Sequence, residues 1–191
     1  LVLGPMIAKH NKSITSLPGG CLIGARPVNY HLNALKKLGM KYEIKKGYIY
    51  ANTKGKLEGA KIRFSKISVG ATENTIIAAC LANGITTLRN CAIEPEIVDL
   101  INFLKSGGAK IKFVGKRTLK IEGIKSLKST SYAVMSDRIE AGTFCVAACL
   151  TGGNLKINNL NPKVIKTELT LLKKVGAKIK TSKKQIHIIG P

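Results

Sequence analysis

The chain has 191 residues and carries 32 Lys and Arg against 10 Asp and Glu, a formal charge of +22 at neutral pH. Hydrophobic residues make up 45% and charged residues 22%, the balance of a folded globular protein, which excludes a disordered basic tail, collagen and a coiled coil. This length can bury one ample core or two modest ones.

Read in chain order, the opening Leu1-Val2-Leu3-Gly4-Pro5-Met6-Ile7-Ala8 has neither the basic start nor the long apolar centre of an export signal. The first informative loop is Leu17 to Pro27, rich in glycine and proline. Residues 72–82 carry apolar positions at helical spacing and stop at Asn83-Gly84, so a helix is expected there, followed by a strand from Ile85 to Asn90. Pro95 suits the first turn of a helix, which runs through Ser106 to the stop at Gly107-Gly108. Two alternating runs, Ala109 to Val114 and Arg117 to Glu122, read as a hairpin.

The chain repeats itself. Ala78-Ala79-Cys80-Leu81 with Gly84 returns as Ala147-Ala148-Cys149-Leu150 with Gly153, an offset of 69 from Gly84 to Gly153. A second marker, Leu35-Lys36-Lys37-Leu38-Gly39, returns around Gly108 and again around Gly176. Each unit of about 69 residues reads helix, strand, helix, strand, strand, and would set two helices behind a small sheet. The fold class is therefore α/β or α+β. The phase of the repeat implies that the chain opens in the middle of one unit, just before its second helix, and is an internal piece of a longer protein.

No apolar run approaches the roughly 18 to 20 residues of a membrane span, so a non-exported, cytoplasmic protein with no membrane partner is expected. Cys21, Cys80, Cys91, Cys145 and Cys149 are an odd number without the paired spacing of a zinc site, and His10, His31 and His187 are scattered. Neither disulfides nor a metal is expected, and nothing calls for a cofactor. Lysine far exceeds arginine, Trp is absent, and the cations are spread along the chain, which disfavours nucleic acid as a partner.

Three stretches could carry chemistry. In Leu17 to Pro27, Cys21 is bracketed by Gly19, Gly20 and Gly24, with Arg26 five residues on. An exposed thiol beside a guanidinium has a lowered pKa and can transfer a proton or add to a substrate, whereas a small buried side chain beside a surface arginine would need the same residues. Lys66-Ile67-Ser68-Val69-Gly70 opens into a helix whose amino end can hold an anion, although Ser68 and Thr72 would also serve simply as caps. Glu94, Glu96 and Asp99, with Asp137 and Glu140 around Arg138, hold five of the ten acidic residues, either placed for function or capping helices.

Leu17 to Pro27, Ser68 to Asn74, Glu94 to Asp99 and Asp137 to Phe144, four motifs in order, resemble those of the UDP-N-acetylglucosamine 1-carboxyvinyltransferases, a family of enolpyruvyl transferases, over essentially the whole chain. The resemblance implies an inside-out α/β barrel fold of two domains, with residues 1–135 in the first and 136–191 opening the second. It implies transfer of the enolpyruvyl group of phosphoenolpyruvate to the 3-hydroxyl of UDP-N-acetylglucosamine with release of phosphate, an early step of peptidoglycan synthesis and so of cell-wall biogenesis. By that likeness Cys21 is the proton donor and Arg26 binds substrate phosphate. Arg26, Pro27, Val28, Asn29 and Tyr30 cradle the UDP sugar, Lys66, Ile67, Ser68, Val69 and Gly70 form a second nucleotide-contacting loop, and Asp137, Arg138, Glu94 and Glu96 help close the cleft.

The chain departs from the pattern at Ile93, where an arginine is usual, and at Asn29, where an aspartate is common. The family's other catalytic residues fall outside the 191 residues, so the isolated piece is expected to be inactive. A decayed homologue, or a basic RNA-binding module supported only by the charge, are the alternatives.

Overall fold

Three helices end in the same way in the computed structural model, which describes residues 1–19 and 27–191. They are α2 (Asn29–Lys37), α4 (Pro95–Ser106) and α6 (Lys166–Lys174). Gly39, Gly108 and Gly176 follow them with φ of +103°, +95° and +103°, a left-handed conformation open to glycine without strain. Each glycine N–H donates three residues back, to the carbonyl of Lys36, Lys105 or Lys173. The next N–H, of Met40, Ala109 or Ala177, donates five back to Leu35, Leu104 or Leu172, all at 2.9–3.1 Å. This double bond satisfies carbonyls that the helix end would otherwise leave open, which is why the glycine spacing marks the repeat.

Around these helices the five-element unit occurs three times. The first is α1 (Leu3–His10), β1 (Lys12–Ser16), α2, β2 (Lys41–Lys45) and β3 (Tyr48–Asn52). A short connecting strand, β4 (Lys61–Arg63), leads into the second: α3 (Val69–Ala79), β5 (Ile85–Arg89), α4, β6 (Lys110–Gly115) and β7 (Thr118–Glu122). The third is α5 (Arg138–Leu150), β8 (Asn154–Asn158), α6 after a 3-10 turn at Pro162–Ile165, β9 (Lys178–Ser182) and β10 (Gln185–Ile189). The three sheets share one order, β1-β3-β2, β5-β7-β6 and β8-β10-β9, all antiparallel, with β4 added in parallel beside β5. The α/β class and the unit's element order agree with expectation. The described strands form three separate small sheets and close no barrel.

One expectation is corrected. The chain does not open before a second helix, because residues 3–16 form α1 and β1 and complete the first unit. Their kinship was masked by a shorter first helix, eight residues against the eleven of α3, and by an offset of 66 from Gly4 to Gly70. The helix expected over 72–82 also begins earlier, at Val69. Ser68, extended at φ −141° and ψ 121°, caps it by accepting from the Ala71 N–H at 3.3 Å.

The chain divides into two compact units, Leu1–Ala133 and Val134–Pro191. In the first, α3 is the central helix, packed against α1, α2 and α4 and buried at Ala71, Thr72, Asn74, Thr75, Ile76, Ala78 and Ala79. Small residues on it let the neighbours approach closely. Ile7, Leu35, Ile76, Leu88, Ile97, Leu119 and Ile121 fill the core around it, each contributing roughly 1.5–3 kcal/mol through burial. The second unit has its own core of Cys145, Leu160, Ile165, Ile186 and Ile188. Among the described residues no helix is long and apolar enough to cross a membrane.

Candidate functional site

A cavity of about 720 Å³ opens in the first unit where the starts of α1, α2 and α3 converge on the end of β1. Pro27, Val28, Tyr30 and His31 line it from the start of α2, Lys66, Ile67 and Ser68 from the segment before α3, and Thr15 and Ser16 from β1. Six of the residues expected to bind substrate, Pro27, Val28, Tyr30, Lys66, Ile67 and Ser68, thus surround one space. Asn29 is the first residue of α2, and Val69 and Gly70 are the first two of α3. Cys21 and Arg26 lie outside the described residues.

The chemistry of this cavity follows from the amino end of α3. Ser68 Oγ satisfies Ala71 N–H, and Thr72 N–H donates to the Ser68 carbonyl at 3.1 Å. The amides of Val69 and Gly70, by helix geometry, have no acceptor within the helix. Together with the helix dipole and the Lys66 ammonium two residues before the cap, they favour a negatively charged group. The capping and anion-binding readings of this loop are therefore compatible, because the cap occupies only one of the free amides. Thr72 is committed elsewhere: its Oγ1 donates to the Ser68 carbonyl at 2.7 Å and accepts from the Ala92 N–H at 3.1 Å.

Several lining residues, Asn74, His31 and Thr15 among them, were not singled out by sequence reasoning. Buried Asn74, on α3, accepts from the Gly4 N–H through Oδ1 at 2.7 Å, and its Nδ2 meets His31 Nδ1 at 3.2 Å. Burial holds the half-buried His31 imidazole below its ordinary value of 6.5. The Thr15 hydroxyl, also at the cavity, is buried and has no hydrogen-bond partner among the described residues. No spacing in the chain announces these groups, since each contact joins separate elements.

The remaining expected residues are placed elsewhere. Glu94 precedes α4 and accepts from the Ile93 N–H through Oε2 at 2.7 Å, and Glu96 lies in the first turn of that helix. Neither lines the cavity. Glu73 on α3 is held above the ordinary carboxylate value by burial first and by the charge of Glu96 second. In the second unit Asp137 caps α5, its Oδ1 accepting from the amides of Ile139 at 2.8 Å and Glu140 at 3.0 Å, and Arg138 lies 3.9 Å from Glu168. Asp137 also lines a cavity of about 370 Å³ with Glu140 and Lys156. Among the described residues no group of three His, Cys, Asp or Glu could hold a metal ion.

Three of the described thiols, Cys80, Cys91 and Cys145, are buried and not set up for reaction. Burial pushes Cys80 up to about 12 and Cys91 to about 11, and raises Cys145 as well, so all three stay protonated at neutral pH.

Known proteins agree with this architecture. A protein-family model described as EPSP synthase (3-phosphoshikimate 1-carboxyvinyltransferase) matches residues 1–191. The UDP-N-acetylglucosamine 1-carboxyvinyltransferase of Pelagibacter ubique (strain HTCC1062) is 61% identical over 190 residues, covering 100% of this chain and 46% of that protein. The protein of the same name from Ruthia magnifica subsp. Calyptogena magnifica is 54% identical, covering 98% and 45%. The chain thus spans about half the length of these curated relatives. Among solved structures, the enolpyruvyl transferase NikO from Streptomyces tendae superposes with a TM-score of 0.78 at 18% identity, covering 98% of this chain and 46% of that one. EPSP synthase from Acinetobacter baumannii does so at 0.68 and 19%, covering 98% and 44%. With the family model matched from end to end and the three-fold αβαββ unit on a shared fold, the chain belongs to the EPSP synthase (3-phosphoshikimate 1-carboxyvinyltransferase) family.

Proposed function

We propose that this chain is part of an enolpyruvyl transferase that joins the enolpyruvyl group of phosphoenolpyruvate to the 3-hydroxyl of UDP-N-acetylglucosamine and releases phosphate. The observation that carries the reading is the cavity at the amino end of α3, lined by Lys66, by the cap residue Ser68 that leads into the first amides of that helix, and by the start of α2. A diphosphate needs such a set of donors. The choice of a nucleotide sugar over shikimate 3-phosphate is supported by relatives at 61% and 54% identity that carry the nucleotide-sugar name.

In this reaction the sugar hydroxyl oxygen bonds to C2 of phosphoenolpyruvate while C3 gains a proton. The resulting tetrahedral adduct then expels phosphate, and C3 loses a proton to restore the double bond. An acid is needed at C3 and cations must hold the phosphate, carboxylate and diphosphate together. Cys21 is assigned the acid. Arg26 and Lys66 are assigned to the anions, Pro27, Val28, Asn29 and Tyr30 to the nucleotide sugar, and Asp137, Arg138, Glu94 and Glu96 to closure of the cleft. A strongly basic chain also draws anionic substrates in by its field. Residues 1–135 are assigned to a first domain and 136–191 to a second, close to the two compact units. The product feeds peptidoglycan synthesis, which places the protein in the cytoplasm with a part in cell shape and division.

The test is phosphate release by the whole protein containing this chain. Release that requires both phosphoenolpyruvate and UDP-N-acetylglucosamine supports the reading. Release with shikimate 3-phosphate as acceptor, or none with either, rejects it.

A further inference from the structure

Asn74 stands at the meeting point of three helices. Its Oδ1 accepts from the Gly4 N–H of α1 at 2.7 Å, so the other end of the amide, Nδ2, faces His31 of α2 at 3.2 Å. An amide nitrogen can only donate, and therefore His31 Nδ1 must accept and carry no proton. A neutral ring then keeps its hydrogen on Nε2. That edge of the ring lies over the first turn of α3, since a Cβ added to Gly70 would come within 3.3 Å of Cε1 and 3.5 Å of Nε2. His31 also lines the cavity with Lys66 and Ser68.

We propose that Asn74 is a positioning residue for the cavity: it fixes His31 as the neutral Nε2–H tautomer, so that the ring presents one more donor beside the amide-rich start of α3. The Gly4 N–H supplies the direction of the whole relay. Without it the amide could turn over, offer Oδ1 to the ring and move the proton to Nδ1. Burial of the ring also favours its uncharged form. The identity of the ligand rests on the function proposed above, whereas the tautomer does not.

Asn74→Asp separates the two. The carboxylate is nearly the same size and still accepts from Gly4, but it can only accept from the ring, so the proton must move to Nδ1. The measurement is the ¹⁵N signals of the His31 ring in the labelled chain, assigned with His31→Gln. The expected result is a protonated Nε2 in the parent chain and a protonated Nδ1 in Asn74→Asp. In parallel, UDP-N-acetylglucosamine is titrated into the whole protein containing this chain and into its Asn74→Asp variant, with an expected loss of about tenfold in affinity for Asn74→Asp. The double variant with His31→Gln should bind no more weakly than His31→Gln alone, because Asn74 acts through the ring. A parent ring protonated on Nδ1, an unmoved proton in Asn74→Asp, or losses that multiply in the double variant would each overturn the proposal. If the whole parent protein does not bind the nucleotide sugar, the functional reading fails for this cavity, and the ring signals alone decide the positioning role. Those signals in the parent chain are informative even where Asn74→Asp folds poorly.

Discussion

Asn74 and His31, 43 residues apart in the chain, meet at 3.2 Å beside a cavity, and the bond between them admits only an uncharged imidazole as acceptor. The ring is therefore coupled to stability as well as to the site. Its folded-state value lies below 6.5, first because of burial. As pH falls through 6.5 the unfolded chain takes up the proton before the folded one, so the folded state loses ground, while above about pH 7.5 the effect is constant. Urea unfolding at about pH 7.5 and about pH 5 should show a smaller loss of stability in His31→Gln than in the parent. Equal losses would show that the ring is not held neutral.

Glu73 works in the opposite sense. Burial and Glu96 raise its folded-state value above 4.5, so its contribution is full below that pH and declines as pH rises through the raised value. Glu73→Gln should therefore be more stable than the parent at neutral pH and lose that advantage toward about pH 4. A neutral-pH midpoint at or below the parent's would contradict this.

Glycine positions separate close packing from free surface. A Cβ at Gly4 would lie within 3.0 Å of Asn74 atoms, so Gly4→Ala should cost ~1–3 kcal/mol and shift the His31 ring signals together with the midpoint. At Gly142, inside α5, no atom of the described residues lies within 4 Å of such a Cβ. Gly142→Ala should stabilise the chain by ~0.5–1 kcal/mol through helix propensity. Denaturant midpoints check both, and the reverse order would contradict the packing described.

Much of this fold is legible in the sequence wherever a backbone demand selects a residue type. Gly39, Gly108 and Gly176 recur because a left-handed helix end needs glycine, and Ser68 and Asp137 announce helix starts because their side chains satisfy free amides. The first unit escapes the same reading because α1 is shorter than α3 and lacks the Ala-Ala-Cys-Leu marker. The His31 contact escapes for a deeper reason. A hydrogen bond between two helices of different units leaves no periodic trace, and Asn74 could be read only as one member of a motif.

Asp137 carries two readings that a pair of variants can divide. Its Oδ1 accepts from two amides, so Asp137→Ala should cost ~1–2 kcal/mol in the midpoint, while Asp137→Asn retains most of the cap. If the charge also helps close the cleft, Asp137→Asn in the whole protein should fold normally yet lose turnover. Full turnover in Asp137→Asn would leave capping as its role.

The most direct test concerns which sulfur reacts. The whole protein is treated with an epoxide phosphonate in the presence of UDP-N-acetylglucosamine, and the adduct is mapped by mass spectrometry. A single adduct on Cys21, absent from Cys21→Ala, is the expected result, because Cys80, Cys91 and Cys145 are buried and held as thiols. Labelling of those buried cysteines, or labelling that persists in Cys21→Ala, would contradict the assignment of an enolpyruvyl transfer site to these residues.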